Sequence, residues 1–197
     1  WPYAAKDTDA CLRLHNLFYP KIQANSRLLN VYENIMVPGL DFLQEMEDNG
    51  VPLDMERVLK AKDYLVAKLR ELETKFYDYP EIGEMEAQLG AKFNPNSVKH
   101  LRTLFFDILD LPTTGKLTGT GELSTDAEVL KELSELHPVP KIVMEYKQAK
   151  KFLNTYLVKM IEGVDMDGNL RTGFNLTSTT SGRLSSSGKI NLQQLPR

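Results

Sequence analysis

A single cysteine, Cys11, stands among 197 residues, which excludes an intramolecular disulfide framework and fits a reducing compartment. No apolar run reaches the roughly twenty residues that a membrane-crossing helix needs, and no secretion signal opens the chain. A soluble, cytoplasmic protein with no membrane partner is expected. The three histidines, His15, His100 and His137, lie far apart without cysteine pairs, so the spacing of a zinc site is missing. Gly115-Lys116 and Gly188-Lys189 lack both the preceding spaced glycine and a following Ser or Thr, which excludes a phosphate-cradling nucleotide loop. No nucleophile has an evident base beside it.

What is present is a steep polarity of charge. The net charge is −3, and alone it argues against a nucleic-acid ligand. Residues 41–86, however, carry 13 acidic and 6 basic side chains, residues 141–160 carry five Lys against one Glu, and residues 171–197 carry 4 basic and no acidic ones. A polyanion is attracted by the second half and repelled by the first, as an orienting field requires. The acidic stretch is the solvated face of helices.

Apolar spacing predicts a mainly helical chain with a small β part. Helix is expected over Trp1–Leu17, with a break near Pro20. A second stretch runs over Leu28–Met46, is interrupted near Pro38, and closes at Asn49-Gly50. The longest helix starts at Asp54 and repeats Val58, Leu65, Leu69, Leu72 and Phe76 along one stripe, supported by Glu56/Lys60 and Glu71/Lys75 pairs. Its antiparallel partner is expected over Val139–Ile161, opened by Pro140, with Val143, Tyr146, Leu153, Leu157 and Met160 on the matching stripe. Two short helices lie between them, one capped by Asn96 and running to Ile108, the other opened by a Thr125/Glu128 capping box and running to about Leu136. Pro112–Leu123 is a loop, and alternation of Leu170, Phe174 and Leu176 predicts a strand after Gly168.

The tail holds the most specific pattern. Thr179-Thr180-Ser181-Gly182-Arg183-Leu184-Ser185-Ser186 is followed by Asn191-Leu192-Gln193-Gln194-Leu195-Pro196. This resembles a motif of the family A DNA polymerases, Thr-x-x-Gly-Arg-Leu-Ser-Ser and then Asn-Leu-Gln-x-x-Pro. Further fragments in the family's order are Val31-Tyr32-Glu33-Asn34-Ile35, Glu47-x-Asn49-Gly50-Val51-x-Leu53-Asp54, Phe93-Asn94, Ser124-Thr125 and Pro140-Lys141-Ile142-Val143-x-Glu145-Tyr146. The resemblance implies three parts: residues 1–24 as the end of a 3′–5′ exonuclease-like domain, 25–165 as the helical thumb, and 166–197 as the start of the palm. It also implies an excised piece of a larger bacterial or phage enzyme, the catalytic palm carboxylates following Arg197. Ser187-Gly188-Lys189-Ile190 is one residue longer than the family's usual spacer.

Site residues follow from the same resemblance. Arg183, Asn191 and Gln193 match residues that probe the minor groove near the primer terminus, where purine N3 and pyrimidine O2 are presented by every base pair in nearly the same place. Thr179, Ser185 and Ser186 offer hydroxyls for phosphate or sugar oxygens, contacts that position a duplex without reading it. Lys147 and Lys151, one helical turn apart with Asn154 and Thr155 extending their face, match basic thumb positions on the DNA backbone. Asn94, Asn96, Ser97 and Lys99 gather at a helix start, where amides favour an anion, and correspond to the thumb tip. Tyr3 and Asp7 resemble the last exonuclease motif. Asp7 binds metal there only with upstream carboxylates absent from this sequence, so no complete catalytic set is expected.

The implied parent is a monomeric, magnesium-dependent DNA-directed DNA polymerase acting on primer-template DNA and dNTP in the cytoplasm of a bacterium or phage-infected cell. The chain alone is expected to bind DNA, to hold no cofactor and to polymerise nothing. The short Tyr79–Pro95 connection leaves no room for the processivity-partner insertion of some phage relatives. Two other readings stay open: a non-catalytic helical scaffold with a flexible polar tail, and a relative of the single-subunit RNA polymerases.

Overall fold

The computed structural model describes residues 2–119, 121–188 and 190–195. Trp1, Thr120, Lys189, Pro196 and Arg197 lie outside the described residues, and with them one residue of the spacer and the Pro that ends the tail motif. The chain divides into two compact units, residues 53–162 and residues 1–52 together with 163–197.

The unit that joins the two ends of the chain opens with α1, Pro2–Gln23. The predicted break at Pro20 does not occur. Pro20 lacks an N–H, but the Asn16 carbonyl it frees is on an exposed turn open to water, and the helix runs on to Gln23. Asn25 caps α2, Ser26–Val31, accepting the Arg27 and Leu28 amides. At Pro38 the chain again stays helical: a wide π turn over Tyr32–Met36 precedes α3, Val37–Asn49, and Val37 bonds back to Tyr32. Such a turn accommodates the missing proline donor without ending the helix.

Gly50 ends α3 as predicted, its amide reaching the Met46 carbonyl. Its φ of 65° and ψ of −169° suit only glycine, and an added Cβ would meet the Leu170 carbonyl at 2.9 Å. The predicted strand is two short ones in separate antiparallel ladders. β1, Val51–Pro52, pairs with β2, Asn169–Leu170; β3, Gly173–Asn175, pairs with β4, Ser185–Ser187. Glu47 accepts the Phe174 amide at 2.5 Å and Arg171 donates to the Asp48 carbonyl at 3.0 Å, so the end of α3 fixes this β region. Asp165 and Asp167 flank the Arg171 guanidinium, which holds the Asp167 carboxyl far below its usual range.

The helical unit is built on α4, Met55–Phe76, capped by Asp54 as its sequence predicts. Both predicted i,i+4 pairs form at 2.6 Å. Its antiparallel partner is α8, Pro138–Lys151, continued by a π turn over Phe152–Leu157 and by α9, Val158–Gly163. Phe76 at the end of α4 meets Tyr146, while Leu65 lies near Gln148 and Phe152, so the two helices run in opposite directions. Leu69, Leu72, Phe76, Val143, Tyr146, Leu153 and Leu157 are buried along this seam. Truncating one such leucine to alanine costs about 2–5 kcal/mol.

Among the described residues three short helices, not two, cover the seam: α5, Pro80–Leu89; α6, Val98–Arg102, with a π turn over Thr103–Ile108; and α7, Ala127–Leu133. Pro80 at the first turn, Glu81 beside it and left-handed Gly90 at the end define α5 within the stretch expected to be a connection. Two predicted caps move by one residue. Ser97, not Asn96, accepts the His100 amide, and Asp126, not Thr125, accepts those of Glu128 and Val129; Thr125 is buried instead. Ile82, Met85, Leu101, Leu104, Phe105, Leu130 and Leu133 complete one core.

Candidate nucleic-acid interface

In the tail a tight turn presents the arginine. Gly182 takes φ 71°, its amide bonds the Thr179 carbonyl at 3.4 Å, and the Thr179 hydroxyl donates to the Arg183 carbonyl at 2.5 Å. The Arg183 side chain is exposed and takes no part in an ion pair among the described residues, while Leu184 beside it is half-buried. Ser185 and Ser186 follow in β4, opposite Asn175 and Phe174. The longer spacer is held at both ends by one buried hydroxyl: Thr172 Oγ1 lies 3.0 Å from the Ser187 carbonyl and 2.9 Å from that of Ile190, which is itself buried. Asn191 Oδ1 then accepts the Gln193 amide at 3.0 Å, starting a 3-10 turn over Leu192–Gln194, and the Ser186 hydroxyl donates to Gln193 Oε1 at 2.8 Å.

The predicted thumb residues form two patches in the helical unit. Lys147 and Lys151 lie one turn apart on α8 and, with Ala127, Leu130, Met144 and Gln148, line a groove of about 310 Å³. Lys147 is half-buried and Lys151 exposed, and neither has a carboxylate partner among the described residues. Burial pushes the Lys147 ammonium down from its ordinary range. Asn154 and Thr155 fall in the π turn, which rotates them relative to a continuous α-helical face; Asn154 is exposed and Thr155 half-buried.

At the other patch Asn94 Oδ1 accepts the Asn96 amide at 3.0 Å, and the Asn94 amide in turn donates to His100 Nδ1 at 3.1 Å. The Ser97 hydroxyl is engaged as the α6 cap, and Lys99 projects into solvent. Arg102 does not join this patch; it donates to the Leu123 carbonyl at 2.6 Å and pairs with Glu122.

Tyr3 and Asp7 are exposed on α1. Among the described residues no three His, Cys, Asp or Glu side chains converge. A two-metal hydrolytic or transfer site needs several convergent carboxylates, so these residues do not fit one.

Comparison with known proteins decides what this arrangement belongs to. The model of DNA polymerase family A matches residues 57–197. The chain belongs to DNA polymerase family A. It is 52% identical over its whole length to the DNA polymerase of Escherichia phage T5, covering 23% of that protein, and 34% identical to DNA polymerase I of Pseudomonas aeruginosa, covering 20% of it. It is similar in fold to the POL domain of Pol1 from M. smegmatis, solved in complex with DNA primer-template and dNTP. That match has a TM-score of 0.70 and 28% identity over 87% of this chain and 28% of that one. The chain thus spans about a fifth to a quarter of the curated relatives' length. No described helix is long and apolar enough to cross a membrane.

Several residues that shape the family A motifs here were not singled out in the sequence. Glu86 on α5 accepts the Phe93 amide at 2.7 Å and the Tyr77 hydroxyl at 2.8 Å, setting the chain's approach to Asn94. The backbone bond from Phe93 holds its carboxyl below the ordinary range. Thr172 acts through backbone groups 15 and 18 residues away, and no spacing rule marks it. Glu86 alone had a signal, as the inward acid of an unrecognised amphipathic helix.

Proposed function

We propose that this chain grips primer-template DNA within a DNA-directed DNA polymerase of replication or repair. In this reading residues 25–165 are the thumb, 166–197 the first palm segment and 1–24 the end of an exonuclease-like domain. The observation that carries it is the exposed Arg183, free of any acidic partner among the described residues, set by the Gly182 turn within an ordered family motif. A planar guanidinium there bonds purine N3 or pyrimidine O2, acceptors shared by all base pairs, so the grip is indifferent to sequence. Asn191 and Gln193 add amide donors beside it. Lys147, Lys151 and Lys99 supply charge toward phosphates, and Asn94, Asn96, Ser97, Asn154, Thr155, Thr179 and Ser185 polar groups toward the backbone. The magnesium-dependent nucleotidyl transfer that consumes dNTP is assigned to the longer parent enzyme, a monomer, and not to residues of this chain.

Fluorescence anisotropy of labelled primer-template with the purified chain tests the reading. Salt-sensitive binding that is equal for unrelated duplex sequences, and weaker by about 1–3 kcal/mol in Arg183→Ala, is expected. Unchanged binding by that variant would favour a protein-interaction scaffold. Nucleotide incorporation by the chain, free of host polymerase, would show that its own residues suffice for catalysis.

A further inference from the structure

The amide side chains of Asn191 and Gln193 are each occupied on one side only among the described residues. Asn191 Oδ1 accepts a backbone N–H, that of Gln193, at 3.0 Å. A backbone donor leaves no choice of amide orientation, so Nδ2 is the end left free. Gln193 is exposed, and its Oε1 lies 2.8 Å from the Ser186 hydroxyl. Ser186 is no mobile surface serine, since it sits in β4 opposite Phe174 of β3, whose amide is held by Glu47. Neither Asn191 Nδ2 nor Gln193 Nε2 has a hydrogen-bond partner among the described residues.

The polarity of those free ends matters. An amide carries two donors on nitrogen and an acceptor oxygen. In the minor groove, A·T and T·A pairs present acceptors alone, and G·C pairs present the same acceptors plus one donor. An amide offered by its oxygen meets lone pairs at nearly every step, whereas one offered by its NH2 finds an acceptor at every pair. We propose that Ser186 is a positioning residue: its hydroxyl proton holds Gln193 Oε1 and turns Nε2 outward, so that Gln193 meets the duplex as a donor, as Asn191 already does through its own turn. This rests on the tail facing the minor groove. It gives Ser186 a task inside the chain in place of the phosphate or sugar contact that its sequence position implies.

The test compares binding of the full chain to primer-template carrying either a normal purine or its 3-deaza analogue, which lacks the N3 acceptor, placed along the duplex end. The wild type is expected to prefer the normal duplex by roughly tenfold at the pair that Gln193 meets. Ser186→Ala is expected to lose most of that preference while binding the 3-deaza duplex as the wild type does; Ser186→Thr, which keeps the hydroxyl, restores it. In a Gln193→Ala background Ser186→Ala changes nothing further. Gln193→Glu, which has oxygens and no NH2, behaves like Gln193→Ala and carries the test should Ser186→Ala fold poorly. Full preference retained by Ser186→Ala or by Gln193→Glu overturns the positioning role while Gln193→Ala still loses it. Equal weakening on both duplexes by Ser186→Ala also overturns it, since that marks a direct backbone contact. If no duplex position distinguishes the wild type from Gln193→Ala, the minor-groove reading itself fails.

Discussion

The Tyr146 hydroxyl donates to Glu73 Oε1 at 3.0 Å and receives the Lys150 ammonium at 3.2 Å, joining α8 to α4 at the point where the Tyr146 ring packs edge-on against Phe76. The ring is buried, at 3% exposure, but Glu73 is open to solvent and can turn to water once its partner is gone. Tyr146→Phe therefore keeps the packing and loses both hydrogen bonds of the hydroxyl, at a cost of about 0.5–1.5 kcal/mol for each. Urea unfolding with an unchanged slope and a lowered midpoint is the expected record.

Gly50 and Gly90 both have positive φ, 65° and 63°, yet they predict different costs. Gly90 is left-handed with open space around it, whereas Gly50 has ψ −169° and its Cβ would press on the Leu170 carbonyl at 2.9 Å. Gly50→Ala should destabilise by about 1–3 kcal/mol from backbone strain, with the close contact added. Gly90→Ala should cost less. Thermal unfolding of the two variants side by side decides it.

Much of this fold is legible in the chain because long stripes are redundant signals. The α4 and α8 seam is written by seven or more apolar residues at helical spacing, Asp54 marks the start of α4, and Gly50 marks the end of α3. Proline misleads at positions 20 and 38, where exposure in one case and a π turn in the other let helix continue. The caps slip by one residue because Asn96 and Ser97, like Thr125 and Asp126, are adjacent capping types, and only the backbone chooses between them. The site divides in the same way. Arg183 is singled out by its motif and is exposed in the structure, but the bond between Ser186 and Gln193 crosses a spacer whose path no local rule supplies.

Acid should release the approach to the Asn94 turn. Glu86 is held below the ordinary carboxylate value of about 4.3, first by the Phe93 amide and then by the Tyr77 hydroxyl. A carboxyl depressed on folding contributes stability that is complete above the unfolded value and is lost as pH falls through the folded one. Hydrogen exchange at the Phe93 amide, corrected for its intrinsic pH dependence, should therefore lose protection below about pH 4. Glu86→Gln keeps an acceptor oxygen without the titration, so its Phe93 protection should be flat over that range.

Lys147 sets stability against grip. Its ammonium is half-buried beside Leu130 and Met144 without a carboxylate partner among the described residues, and burial lowers its pKa. A base depressed on folding binds its proton more tightly when unfolded, so stability rises with pH across the window between the two values, and at neutral pH the folded chain still bears the cost of the buried charge. Lys147→Met removes that cost and extends the apolar lining of the groove, so the melting temperature should rise. The same change removes a cation from the proposed phosphate track, so primer-template binding should weaken and the slope of log affinity against log salt should become shallower by about 0.9 for one phosphate. Lys151→Met separates the two effects, because Lys151 is exposed: it should lose a similar share of the salt slope with no gain in melting temperature. Anisotropy titrations at several salt concentrations, paired with thermal unfolding, measure both, and a Lys147→Met chain with unaltered salt dependence would remove this lysine from the DNA track.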